Sequence, residues 1–431
     1  MKTMRNQIGM CLIAVLWVVM PMVACAQGAQ VSPTKYNYAP AANAIVKGAS
    51  TKLEKAYKIY LWICDNIQYD TNYRIHTADE CFDKRKGVCQ AYSELYYRLC
   101  EAVGVKCFLV TGSSKDTFGN VRRSDHSWIC AEIEGGRILI DPTWGAGALN
   151  GNVFTKSEDP APWFKVNPYW MVFTHLPDDP QFQLMDQAID YNRFVTLPPL
   201  MPELQYLGWN PRELLGQYLR GEIKSMPEIL SINGNPGIRL LKLPMQEQLN
   251  PAKTYRFEID NPQHKKVAIL TDNDIYNIDQ WQRSGTKYWI DLMPGNTRGL
   301  HLSMQNEQDY STYNSMLIYN VSPPTASEAQ YINDHLPPER YKLYDESVQF
   351  KQIPKYGKLK KGTAYQFIIE NPKHFALAIR VNDTWYRTTE WTKSGNLYHI
   401  TITPQQTGEL VVMMGTTEGS YHYMLKYTIV D

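Results

Sequence analysis

A cysteine, a histidine and an aspartate in this chain form a set able to attack an amide bond. The stretch Gly87-Val88-Cys89-Gln90-Ala91-Tyr92-Ser93 follows a basic loop, Lys84-Arg85-Lys86. Beyond it, apolar or aromatic residues recur at 92, 95, 96, 99 and 103, the spacing of a buried helix face, and Gly104 supplies a stop. Cys89 is therefore expected in the first turn of a helix, where unpaired backbone N–H groups and the positive end of the macrodipole favour an anion. The anion would be a thiolate, because such surroundings lower a cysteine pKa from about 8.5 to roughly 3.5–7.5. Most free cysteines are small buried apolar residues, so the reading turns on the partners.

The partners come from a hairpin. Ser124-Asp125-His126-Ser127-Trp128-Ile129 opens a strand, Gly135-Gly136 makes the turn, and Arg137-Ile138-Leu139-Ile140 returns. Asp141-Pro142-Thr143-Trp144-Gly145 closes it, with Pro142 unable to donate a ladder bond. His126 is then expected at the start of one strand and Asp141 at the end of its antiparallel neighbour, within hydrogen-bonding reach. Taken singly, His126 fits a half-buried core histidine and Asp141 a turn residue before proline. Together they complete the logic of a thiol triad, with Cys89 as nucleophile, His126 as base and Asp141 as orienting acid.

Gly87-Val88-Cys89-Gln90-Ala91-Tyr92, His126-Ser127-Trp128 and Asp141-Pro142-Thr143-Trp144 resemble the three motifs of the transglutaminase-like superfamily of thiol enzymes. The resemblance implies a papain-like core, in which a helix bearing the cysteine packs on a sheet bearing the histidine and aspartate. It assigns Cys89, His126 and Asp141 the same three roles, and all three motifs are intact. Leu61-Trp62-Ile63 and Asn66-Ile67-Gln68-Tyr69-Asp70 are similar to the helix that precedes the nucleophile there. Trp163-Phe164 and the run from Pro168 to Pro177 resemble the extension that follows the core in kyphoscoliosis-peptidase-like members. His175, in that run before Leu176-Pro177, reads as a structural residue at a turn. Tyr69, Gln90, Trp128 and Trp144 are the expected substrate contacts.

The elements that must position these residues can be taken in order. With 431 residues and 44% hydrophobic content, the chain suits two to four domains, and a net charge of +1 argues against a nucleic-acid partner. Residues 1–26 read as an export signal, with Lys2 and Arg5 before an apolar run from Ile8 to Val23. Ala24-Cys25-Ala26 fits ordinary signal cleavage; Met22-Val23-Ala24-Cys25 is an imperfect lipoprotein box in which Cys25 would be lipidated. The expectation is a secreted, periplasmic or cell-surface protein, on a membrane only if lipidated at Cys25. Residues 27–50 read as a polar linker. Leu53, Ala56, Tyr57, Ile59, Tyr60, Ile63 and Ile67 mark an amphipathic helix over 51–68, Val105 to Thr111 a buried strand, and Gly112 to Arg123 a polar loop over the cleft. Beyond the signal, six cysteines remain, all before residue 131. None is spaced C-x-x-C and no histidine has zinc-ligand spacing, so neither metal nor cofactor is expected.

The last third contains a repeat. Tyr255 to His264 aligns with Tyr365 to His374 at an offset of 110, which also pairs Trp281 with Trp391 and Pro294 with Pro404. Short alternating runs between Asn-Pro and Ser-Gly turns read as antiparallel strands, at lengths that suit immunoglobulin-like sandwiches. His264 and His374 read as recurring turn residues.

The expected fold class is α+β: a papain-like transglutaminase core with its extension over 51–235, then two all-β immunoglobulin-like sandwiches over 236–322 and 346–431, joined by a linker over 323–345. The expected function is a cysteine peptidase or amidase acting on a protein or peptide through a Cys89 thioester. Residues 236–431 would bind a surface or polymer. A protein cross-linking acyltransferase and a non-catalytic binding module are the alternatives.

Overall fold

A computed structural model of the chain describes residues 31–230, 236–272, 274–306, 309, 312–341, 343, 345, 347–416 and 420–431. The export segment expected over 1–26, with Cys25, lies outside the described residues. Two units divide the chain, one of residues up to Gln205 with Asn210–Arg220, the other of Tyr206–Trp209 with Gly221–Asp431.

The first unit opens with helices α1 (Ala39–Ile45), α2 (Lys52–Asn66), α3 (Ala78–Lys84) and α4 (Cys89–Ala102), and with strands β1 (Gln68–Tyr69) and β2 (Lys86–Gly87), a short parallel pair. Thr51 starts α2 through a capping box: its side chain accepts from Glu54 N–H, while Glu54 accepts from the Thr51 N–H. Ala56, Ile59, Tyr60, Ile63 and Cys64 form the buried face of α2. On α4, burial extends beyond the stripe expected from spacing to Cys89, Ala91, Ser93, Glu94 and Cys100. This helix is the centre of the unit. Its buried polar groups are satisfied: Ser93 Oγ donates to Ser127 O at 2.9 Å, and Glu94 accepts from Ser32, Ala78 and Gln90.

Residues 31–50, the described part of the stretch expected as a polar linker, pack onto the unit. Within them lies α1, Ala42 and Tyr38 are buried, and Tyr38 Oη donates to Asp79 of α3 at 2.7 Å. The polar residues that gave the stretch its linker-like composition are the ones that tie it down.

Next come β3 (Lys106–Lys115), β4 (Val121–Ile133), β5 (Gly136–Ile140), the short helix α5 (Pro142–Ala146), a hairpin of β6 (Gly147–Asn150) and β7 (Val153–Lys156), β8 (Phe164–Val166), α6 (Pro168–Met171) and β9 (His175–Pro177). Five of these strands form an antiparallel sheet in the order β8-β5-β4-β3-β9, against which α4 packs. Two sequence expectations need correction. The polar stretch over 112–123 is mostly strand, leaving 116–120 as the turn, because its Ser and Lys side chains find partners inside the fold. Lys115 is an example, since its buried ammonium donates to the carbonyls of Phe194 and Leu197. As β4 starts at Val121, His126 lies mid-strand opposite Gly112 and not at the strand's start.

The second unit holds two sandwiches. In the first, a six-stranded sheet built around Val267–Thr271, Gly299–Gln305 and Tyr313–Val321 accompanies a four-stranded sheet built around Tyr255–Asp260 and Lys287–Leu292. The second repeats this plan with Tyr365–Glu370, Leu377–Val381, Leu397–Ile402, Gly408–Gly415 and Tyr421–Val430. Phe257 meets Tyr319 edge-on at 5.7 Å, and Phe367 meets Tyr427 at 5.8 Å. The offset of 110 thus falls to 108 (427 − 319) in the last strand. The first sandwich also takes in Glu228–Ile229, which pairs with Tyr313–Val321, so it starts before residue 236. Residues 323–345 are likewise more than a linker: a helix spans Ala326–His335, and Glu339–Arg340 pairs with the last strand of the second sandwich. His264 and His374 both hold positive φ, and their Nδ1 atoms meet the hydroxyls of Tyr288 and Tyr398 at 3.0 and 3.1 Å. Among the described residues, no helix is long and apolar enough to cross a membrane.

Candidate active site

Cys89 is the first residue of α4, and Val88 caps the helix with extended backbone and no side-chain hydrogen bond. The helix start is fixed from outside by the Val88 N–H, which donates to Ile75 O at 3.0 Å. Cys89 therefore lies in the first turn, the end of a helix that favours an anion. Its Sγ lies 3.9 Å from the carbonyl oxygen of Asp125, the residue before His126. Asp125 is itself anchored on β3, where its carboxylate accepts from Ser114 N at 2.8 Å and Ser114 Oγ at 2.9 Å. That anchor fixes the segment of β4 that carries His126.

Asp141 follows β5 directly and caps α5. Its Oδ1 accepts from Thr143 N at 2.8 Å and Trp144 N at 3.0 Å, while Pro142 fills the first helical position, where no N–H is needed. The other oxygen, Oδ2, lies 2.7 Å from His126 Nε2 and 3.0 Å from His175 Nε2. Burial alone would raise the Asp141 pKa. The charge and hydrogen bond of His126, together with the hydrogen bond from His175, outweigh it and hold the carboxyl well below the usual carboxylate range. With Asp141 ionised, the 2.7 Å contact calls for a proton on His126 Nε2, which leaves Nδ1 as the ring's other nitrogen.

His175 is the functional candidate that sequence reasoning missed. It was expected at a turn; it is instead a fully buried residue of β9, pinned by pairing with Ser114 and bonded to Asp141. The available signal was a Thr174-His175 pair inside the apolar run Trp170-Met171-Val172-Phe173 and Leu176, since polar side chains there need partners.

Aromatic rings enclose these groups. His126 lies 5.9 Å from Trp128 and 5.8 Å from Trp144; His175 lies 4.6 Å from Trp144, 5.0 Å from Trp128 and 5.5 Å from Trp163. Of the four expected substrate contacts, Trp128 is buried, 1% exposed, and backs the two imidazoles. Tyr69 is also buried, paired through β1 with Gly87 and packed 6.0 Å from Tyr73. Gln90 and Trp144 remain half-buried, with Gln90 Nε2 donating to Glu94 at 3.1 Å.

His126, Asp141 and His175 are also residue types that bind metals, and their ligating atoms lie within 4.8 Å of one another, a convergence that sequence spacing did not reveal. Here both imidazoles address one carboxylate oxygen at hydrogen-bonding distance, and the other oxygen is committed to two backbone N–H groups. A metal would have to replace both N–H···O bonds.

Residues 39–142 match the family model of the transglutaminase-like superfamily, so this part of the chain is a transglutaminase-like domain. The match takes in Cys89, His126 and Asp141 and stops before His175. Kyphoscoliosis peptidase of Homo sapiens is 30% identical over 163 residues, and that of Mus musculus 29% identical over 165; each alignment covers 35% of this chain and 24% of the relative. The chain thus spans about a quarter of the length of these curated relatives. Among solved structures, red sea bream transglutaminase aligns with 88% of this chain and 69% of its own, at 11% identity and a TM-score of 0.21.

Proposed function

We propose that the transglutaminase-like domain is a thiol hydrolase that cleaves amide bonds in proteins or peptides through an acyl-enzyme on Cys89. The observation that carries this reading is the 2.7 Å bond from His126 Nε2 to the buried Asp141, on a strand whose Asp125 carbonyl lies 3.9 Å from Cys89 Sγ. Asp141 stays ionised and fixes the imidazole; His126 takes the thiol proton at Nδ1. The thiolate adds to the carbonyl carbon, with the Cys89 backbone N–H as one donor to the oxyanion. As the C–N bond breaks, His126 returns the proton to the leaving amine. Water then gives a proton to His126 and its oxygen to the thioester, which frees the acid and the thiol. Gln90 and Trp144, the half-buried pair, are the residues a substrate would touch.

The apolar run from Ile8 to Val23 supports export, with lipid attachment at Cys25 as the alternative, and the tandem sandwiches would hold the enzyme at a surface or polymer. The test is a screen of amide and glutamine-containing peptides with and without a primary amine. Free acid in equal yield under both conditions is the expected result. Transfer of the acyl group to the amine would make the domain a transglutaminase. Folded protein that is silent towards every peptide would leave a binding module.

A further inference from the structure

One carboxylate oxygen serving two histidines is more than a triad requires. Asp141 Oδ2 lies 3.0 Å from His175 Nε2 in addition to its 2.7 Å bond with His126. The far side of the His175 ring is also engaged: Nδ1 lies 2.8 Å from Thr174 Oγ1, a shorter contact than the 3.3 Å from that hydroxyl to Met171 O. The backbone beneath it is fixed, since Lys115 N–H donates to Thr174 O at 2.8 Å and Ser114 pairs with His175. A neutral imidazole satisfies the two shorter contacts in one way: Nδ1 accepts the Thr174 hydroxyl proton in place of Met171 O, and Nε2–H donates to Asp141.

Resting on the thiol-enzyme reading, we propose that His175 is a positioning residue for the Cys89–His126 pair. Its Nε2–H takes a share of the Asp141 Oδ2 charge and so sets how firmly His126 keeps its proton. A carboxylate that accepts four hydrogen bonds holds an imidazolium less strongly than one that accepts three. His126 then gives its proton to a leaving amine more readily, while its orientation is kept.

The surroundings agree. Burial drives the His175 pKa down, and the positive charge of His126 pushes the same way, against the opposing pull of Asp141 and Asp125; the net direction is neutral. The other titratable groups that feel Asp141 are Tyr60 and Cys64 on α2 and Tyr92 on α4, all held in their neutral forms by burial. Cys89 lies across the site at Asp125 O. Trp128, Trp144 and Trp163 complete the shell without titrating.

The experiment follows Cys89 alkylation against pH, which needs no substrate, in wild type, His175→Leu, His175→Gln and Thr174→Val, each checked for folding by circular dichroism. In wild type, the upper step of the profile reports loss of the His126 proton. His175→Leu removes a donor to a charged group and is expected to move that step up by about one pH unit. His175→Gln, whose amide can donate to Oδ2, is expected to restore most of the shift, and Thr174→Val to give a smaller shift in the same direction. Because His175 is buried away from substrate, kcat should fall with KM unchanged. A folded His175→Leu protein with the step unmoved overturns the inference and leaves the thiol-enzyme reading standing. A wild type with no activated thiolate ends both.

Should His175→Leu not fold, nitrogen-15 NMR of the wild-type histidines decides. A neutral His175 with its proton on Nε2 is expected at pH values above the ordinary histidine pKa of about 6.5. A ring that carries its proton on Nδ1, or is charged in that range, overturns the inference.

Discussion

Cys89→Ala is expected to reduce amide turnover to background, because no other group in the site can form the acyl intermediate. His126→Ala should cost on the order of 10²–10⁴-fold from the lost proton transfer alone, and more where the thiolate depends on the imidazolium. Asp141→Asn is the informative variant. Its carboxamide must either turn its NH2 towards the two imidazole Nε2 atoms or, flipped, towards the N–H groups of Thr143 and Trp144. Flipped, it sets donors against donors; turned towards the imidazoles, it is accepted only if both rings move their proton to Nδ1, which takes from His126 the nitrogen that serves as base. The variant should therefore lose activity in the same range and also lose roughly 3–5 kcal/mol of stability, the usual cost of breaking a buried pair. The three activity losses should not add, because the residues act as one unit. Kinetics together with urea denaturation read both effects; Asp141→Asn with an unchanged midpoint would refute the four-bond description of this carboxylate.

Gly112→Ala should be strongly disruptive, although it adds only one methyl group. Gly112 faces His126 on one side and Pro177 on the other, at the centre of the β4-β3-β9 pairing. A Cβ there would stand 2.2 Å from Leu176 O, 2.6 Å from Trp128 Cη2 and 2.7 Å from Pro177 Cα. Two of the three are backbone atoms of β9, so that strand must withdraw and take His175 away from Asp141. Overpacking of this kind typically costs about 1–3 kcal/mol and sometimes more. A lowered denaturation midpoint together with a slower kcat is expected. A wild-type midpoint would show that β9 does not pack as tightly on β3 as described.

Much of this site was legible in the sequence because its parts are local signals. Cys89 follows a glycine-ended loop and opens an apolar-striped helix, and Asp141-Pro142 is a capping pair as well as a turn. The repeat in the last third was readable for the same reason, since each copy keeps its Asn-Pro and Ser-Gly turns. The missed features depend on distance in the fold. His175 is 34 residues from Asp141, and nothing local to Thr174-His175-Leu176 says which carboxylate it meets. The contacts of Ser32 and Tyr38 reach 62 and 41 residues along the chain, so a stretch with linker composition was in fact packed. Trp128 and Tyr69 show the converse: their proximity to the motifs was readable, but burial behind the histidines and beside Gly87 was not.

The most direct test of the central claim is brief alkylation of the native, reduced protein at mildly acidic pH, followed by peptide mapping. The six cysteines among the described residues are buried thiols outside any disulfide. Burial pushes the thiols of Cys64, Cys81 and Cys100 far up and that of Cys130 up to about 11, so they should stay protonated and inert. If Cys89 is a thiolate held by the start of α4 and by His126, it is labelled well ahead of the others, and His126→Ala removes the advantage. Labelling of Cys89 no faster than its neighbours, or only as the pH rises past about 8.5, would contradict the account.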